Sequence, residues 1–181
     1  MYPFIRTLLT LTRARKRPSI AVDDIGVMHF RAMPWDIDIF GEVNNGRQLT
    51  LFEQGRWDLA VRIGLMSLLK RKGWGLVVAG SSVRYRKRIR MFDPVECRTQ
   101  CCAVDGRWFY MSQSFWVRGE PCSHALFRTA VTHRGKTLDG ALVMDALGVH
   151  WNHPTPDWVL AWDRSDHERP WPPHPLPLEH T

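Results

Sequence analysis

No run of apolar residues in these 181 approaches the ~20 that a helix needs to span a bilayer. Cysteine is scarce. There are four, at Cys97, Cys101, Cys102 and Cys122, and none has the C-x-x-C spacing of a zinc site. Cys101 and Cys102 are adjacent, which suits neither a shared metal nor a secreted disulfide framework, so reduced core thiols in a cytoplasmic protein are expected. The eight histidines include no H-x-x-x-H within one element, and no metal is expected. Acidic residues are also in the minority. Eighteen Asp and Glu stand against 25 Lys and Arg, and the net charge of +7 favours an anionic partner. Nucleic acid, an acidic membrane surface and a phosphorylated ligand are all compatible with it.

Nine Trp, eight Phe and an apolar content of 44% argue for a folded chain, and the length suits one domain with a sizeable core. Residues 1–23 open with Tyr2, Phe4, Ile5, Leu8, Leu9 and Leu11, followed by Arg13, Arg15, Lys16 and Arg17. A signal peptide puts its charges before the apolar stretch and a small-residue cleavage site after it; here the order is reversed. The segment is expected to lie as a short amphipathic helix on its own domain or on a partner subunit. The same segment, residues 1–17, is the candidate for peripheral contact with a membrane.

Residues 26–33 alternate as a strand does, and Pro34 ends the run. From Gly46 the spacing becomes helical, with Leu49, Phe52, Ala60 and Ile63 on one stripe and Gly64 as the stop. Residues 65–72 add a second helical piece. "GLVVAGSSVRYRKRIRMF" reads as one long strand bent at Gly80. Two more strands follow, joined at the hairpin signal Asp105–Gly106, and "GEP" turns the chain into "CSHALFRTAVTH". Residues 139–148 form a short helix. Residues 150–181 are rich in Pro and Trp and read as an extended tail that must lie on the domain or a partner to hide Trp151, Trp158, Trp162 and Trp171. Strand, long helix, then four antiparallel strands predict an α+β fold: a curled antiparallel sheet around one central helix, over residues 24–149.

Between the first strand and that helix lies "WDIDIFGEVNN", Trp35–Asn45. Asp36, Asp38 and Glu42 gather where Asn44 or Asn45 caps the helix. Acid and amide side chains before a helix are what tight turns and caps require. They also set carboxylates beside the first helical turn, whose amide N–H groups have no internal partner and are backed by the helix dipole, an arrangement that can serve catalysis. Pattern alone leaves capping and catalysis both open.

These residues resemble a known family, the hot-dog-fold acyl-CoA thioesterases, in the branch similar to 4-hydroxybenzoyl-CoA thioesterase and its THEM6-like relatives. The family pattern runs Asp, x, Asp, three residues, His, x, Asn, Asn, x, x, Tyr, Leu; this chain supplies Asp36, Asp38, Asn44, Asn45 and Leu49. Glu42 stands at the His and Gln48 at the Tyr. The resemblance implies a homodimer or dimer of dimers with active sites at the subunit interface. It also implies metal-free cleavage of acyl-CoA, with no cofactor beyond the coenzyme A of the substrate and with Asp38 as nucleophile or general base. On that basis the catalytic set is Asp38, Asn45, Gly46 and Arg47: a thioester oxygen above Gly46 and Arg47 would meet the first-turn amides as oxyanion donors, and Asp38 would reach the carbonyl carbon.

Binding residues are expected at Asp36, Asn44, Glu53, Trp57, Arg84 and Arg86. Asp36 is the weaker catalytic candidate and is expected to orient the loop. Arg84, Arg86, Arg88 and Arg90 alternate, so one strand would set all four on one face, either against phosphates or as a solvated edge. That row has no interleaved aromatic beyond Tyr85, so no nucleic acid is expected. The substitutions at Glu42 and Gln48 motivate an alternative, a non-catalytic acyl-CoA- or lipid-binding scaffold.

Overall fold

A computed structural model describes residues 3–173. Its elements run α1 (Phe4–Ala14), β1 (Gly26–Arg31), a 3-10 turn at Pro34–Asp36, α2 (Asn45–Arg62), α3 (Leu65–Lys72) and β2 (Gly75–Tyr85). Then come β3 (Pro94–Asp105), β4 (Trp108–Val117), β5 (Glu120–His133), β6 (Lys136–Thr137), α4 (Gly140–Ala146) and α5 (Asp157–Glu168). The sheet order is β1-β3-β4-β5-β2, every pairing antiparallel, with β6 on β5. Two hairpins build β3-β4-β5. β2, although first after the helices, pairs beyond β5 and forms an edge. Gly80 sits at the bulge that shifts the β2–β5 register, where a Cβ would come within 3.3 Å of the Trp162 ring.

One face of the sheet wraps α2. Phe52 stacks on Phe115 with centroids 3.8 Å apart and meets Phe127 edge-on, inside a core of Leu51, Val95, Cys97 and Ala125. Gly55 lets the helix approach β3 and β4. A Cβ there would lie 2.6 Å from Thr99 Oγ1 and 2.7 Å from Cys97 Sγ. Beside it, Gln113 Nε2 donates to Thr99 Oγ1 and to the Phe52 carbonyl at 2.8 and 2.9 Å, while its Oε1 accepts from Arg56 at 2.7 Å. The buried face of α2 is therefore mixed: Gln48, Gln54, Gly55 and Asp58 share it with Leu51, Phe52, Leu59 and Ala60. Leu49, expected on the buried stripe, is exposed. An apolar-only pattern misplaces the stripe because residues far along the chain engage two of its polar members: Arg17 reaches Asp58, and Thr7 accepts from Gln54.

The opposite face carries α5. Arg128 donates to Asp163 at 2.7 Å and to Asp166 at 2.5 Å, and Tyr110 donates to Asp163 at 2.7 Å. Val159 is fully buried and packs with Tyr110 and Leu126. The expected extended tail is thus in part a helix, begun after Pro156, which N-caps it, with Asp157 in its first turn. Trp151 and Trp162 are half-buried, but Trp158 and Trp171 are 48 and 89% exposed, against the expectation that all four tryptophans are hidden. Residues 174–181 of that tail, and Tyr2 at the other end, lie outside the described residues.

β2 also ends earlier than expected. The amides of Arg86 and Lys87 both turn to the Cys122 carbonyl, and Arg88 and Arg90 fall on an irregular segment. The four-arginine row is therefore broken after Tyr85. α1 lies on α2 of its own domain, held by Arg17–Asp58 and by Gln54 donating to Thr7 at 3.1 Å. Among the described residues no helix is long and apolar enough to cross a membrane.

Candidate active site

The loop from Trp35 to Asn44 is closed by backbone pairing. Asp38 N–H donates to the Glu42 carbonyl, Asn44 N–H to that of Asp36, and Val43 N–H to that of Ile89. Gly41, at φ +75°, supplies the left-handed residue of the tight turn. Glu42 pairs with Arg88 at 3.0 Å and so pins the loop to the segment after β2.

Asp36 is buried to 1% exposure. Arg6 grips it at 2.8 and 3.3 Å, Arg47 approaches at 3.5 Å, and the Met33 amide donates to it at 3.0 Å. It fastens the loop, with both its oxygens engaged within the fold, and it also borders the cleft that Asp38 lines. Asp38 follows the 3-10 turn that ends at Asp36 and has different partners. Its Oδ1 accepts from the Phe40 amide at 2.9 Å, and it lines an open cleft of about 580 Å³ with Trp35, Asn44, Gly46, Arg47 and Thr50.

At the floor of this cleft α2 begins. Asn44 is the N-cap, its Oδ1 accepting from the Arg47 amide at 3.2 Å. That bond removes Arg47 from the expected oxyanion donors, and its guanidinium is turned to Asp36 and the Trp35 carbonyl. The amides of Asn45 and Gly46 have no acceptor among the described residues and stand at the positive end of the helix. A Cβ on Gly46 would press to 3.2 Å on Asn44 Oδ1, so the glycine protects the cap.

Glu53 and Trp57 lie two to three turns further along α2. They line a separate, mainly apolar cavity of about 140 Å³ with Leu76, Phe109, Met111 and Val131. Arg84 and Arg86 line neither space. Tyr85 between them turns to α2 and donates to the Asn45 carbonyl at 3.2 Å, which sends its neighbours to the other face. There Arg84 adds its charge to burial in lowering the pKa of His124. Their assignment as ligand contacts within this protomer is corrected. Arg6 and Tyr85 are the site neighbours that sequence reasoning missed, since each acts from an element remote in the chain.

A sheet of this order curled around one helix, with a carboxylate and free amides at the helix start, is the hot-dog architecture. The chain belongs to the thioesterase-like superfamily, whose family model matches residues 32–162. Within it the chain is similar to protein THEM6 of Xenopus laevis, 32% identical over 115 residues, 62% of this chain and 55% of that protein. It thus spans only about half of that relative's length. Among solved structures it resembles YbaW, a probable thioesterase from Escherichia coli, with a TM-score of 0.62 at 20% identity, covering 67% of this chain and 95% of that one. A hypothetical thioesterase from Streptococcus pneumoniae TIGR4, solved with coenzyme A, matches with a TM-score of 0.54 at 17% identity over 70% of this chain and 94% of that one.

Proposed function

We propose that the chain hydrolyses the thioester of an acyl-CoA, with Asp38 delivering the attack and the Asn45 and Gly46 amides receiving the charge. The observation that carries this is the sharing of one cleft by Asp38 and the two unengaged amides. In the general-base form, Asp38 takes a proton from water as the water oxygen bonds to the carbonyl carbon. The carbonyl oxygen becomes an oxyanion facing Asn45 and Gly46. Its collapse breaks the C–S bond, and the proton on Asp38 passes to the departing thiolate. In the nucleophilic form, Asp38 bonds to the carbon, the C–S bond breaks to expel the thiolate and leave a mixed anhydride, and water then cleaves the anhydride to the acid and free Asp38, its released proton neutralising the thiolate. Neither form calls on a metal or a cofactor other than the coenzyme A of the substrate. The homodimer belongs to the same reading. It is supported by β2, an edge strand with Val77, Val78 and Tyr85 exposed beside the start of α2.

Asp38→Asn should lower acyl-CoA turnover by at least about a hundred-fold with stability unchanged. Turnover in ¹⁸O-water separates the two forms, since only the nucleophilic one labels Asp38. Saturable acyl-CoA binding by the unaltered chain without release of thiol would replace this reading with that of a non-catalytic binding protein.

A further inference from the structure

α1 is packed the wrong way round for a helix that serves only its own domain. Thr7, Thr10 and Ala14 face α2, and Arg6 reaches Asp36. The large apolar side chains point out: Phe4, Ile5, Leu8 and Leu9 are 72, 79, 64 and 47% exposed. Their i, i+1, i+4, i+5 spacing sets them along one stripe. Polar anchors, Gln54 to Thr7, Arg6 to Asp36 and Arg17 to Asp58, hold the helix in that orientation. Without an outside occupant, the arrangement leaves Ile5 and Leu8 in water and puts threonine against the protein.

We infer that this outward stripe docks the protein on an anionic membrane surface, with α1 lying in the plane of the interface. Charge selects the occupant. Arg13, Arg15 and Lys16 follow the stripe, are exposed, and enter no ion pair among the described residues. Trp35, 64% exposed, lines one groove with Phe4, Ile5 and Leu9, and Trp favours the bilayer–water boundary. An apolar face buried in the acyl boundary with Lys and Arg at the headgroups is the pattern of an interfacial helix. A second copy of the chain fits less well, since residues 1–22 hold no Asp or Glu to answer a partner's Arg13, Arg15 and Lys16. Trp35 and Arg47 line both this groove and the cleft at Asp38, so docking would hold that cleft close to the lipid.

The test is co-sedimentation of the full chain with phosphatidylcholine vesicles, alone or with 30% phosphatidylserine. The helix should partition onto the anionic vesicles only, and high salt should release it. Replacing Arg13, Arg15 and Lys16 by Gln should lower partitioning about a hundred-fold, at about five-fold per charge. The double variant Ile5→Ser, Leu8→Ser should lower it at least ten-fold, because two side chains are withdrawn from the acyl boundary. Both sets are exposed, and circular dichroism with a melting curve checks that they fold. Failure to bind anionic vesicles overturns the inference, as does binding unchanged in the Ser variant. Equally fatal would be a Ser variant that keeps its vesicle binding but loses oligomer mass in sedimentation equilibrium, which would give the stripe to a second copy. Loss of thioester turnover alone would leave this result untouched.

Discussion

Gly55→Ala sets two known effects against each other. In an exposed helix the change would stabilise by ~1 kcal/mol, because Ala is the better helix former. Here the new methyl would lie 2.6 Å from Thr99 Oγ1, 2.7 Å from Cys97 Sγ and 2.9 Å from Gln113 Nε2. Ordinary contact needs about 3.4–4 Å, so α2 must back away or the β3–β4 surface must yield, and overpacking of this kind costs ~1–3 kcal/mol. Displacing Gln113 also endangers its bonds to Thr99 and Phe52, at ~1 kcal/mol each. The net is a loss of about 2 kcal/mol. Urea unfolding followed by circular dichroism should show a lower midpoint with the slope unchanged. In a Thr99→Ala background, which removes the nearest clash, the loss should shrink. An equal or higher midpoint for Gly55→Ala would refute the claim that glycine is required for close approach of α2 to the sheet.

Two further outcomes follow from the outer face of the sheet. Asp163→Ala should cost about 3 kcal/mol, since it strips Arg128 and Tyr110 of a shared acceptor. Hydrogen exchange should then lose protection in α5 while α2 keeps it; unaltered α5 protection would refute the clasp. His124 has its pKa lowered by burial and then by Arg84, so the unfolded chain takes up the proton more readily. Its contribution is fully present above the ordinary value of 6.5 and is lost as pH falls through the lower folded value. Melting temperature should therefore fall between pH 7 and 5 more in the unaltered chain than in His124→Gln, and parallel curves would remove His124 from the explanation.

The parts of the fold legible in the sequence were those written in neighbouring residues. Asp105–Gly106 turns β3 into β4, Gly80 marks the β2 bulge, and Asn44 caps α2, each through its own backbone preference. What could not be read depends on partners far along the chain. Nothing near Asp36 names Arg6, 30 residues away, as its counter-ion. Nothing near Gln54 or Asp58 points to their partners, Thr7 on α1 and Arg17 just after it. The arginine row failed where the Cys122 carbonyl drew two successive amides out of strand geometry. In α5, Pro156 followed by Asp157 was a start signal, masked by the Pro and Trp content around it. At the site, the acid-and-amide loop was legible, whereas loss of the Arg47 amide to Asn44 required the cap geometry.

The clasp of Arg128 on Asp163 and Asp166 also bears on how protomers can assemble. With α5 seated across it, the back of the sheet is already occupied where the clasp lies, and two sheets cannot stack there unless that helix first gives way. The proposed homodimer would be left with the open strand borders and the α2 side, next to the cleft at Asp38. Assembly and chemistry would then draw on the same surface, so a change that alters one should be read in the other.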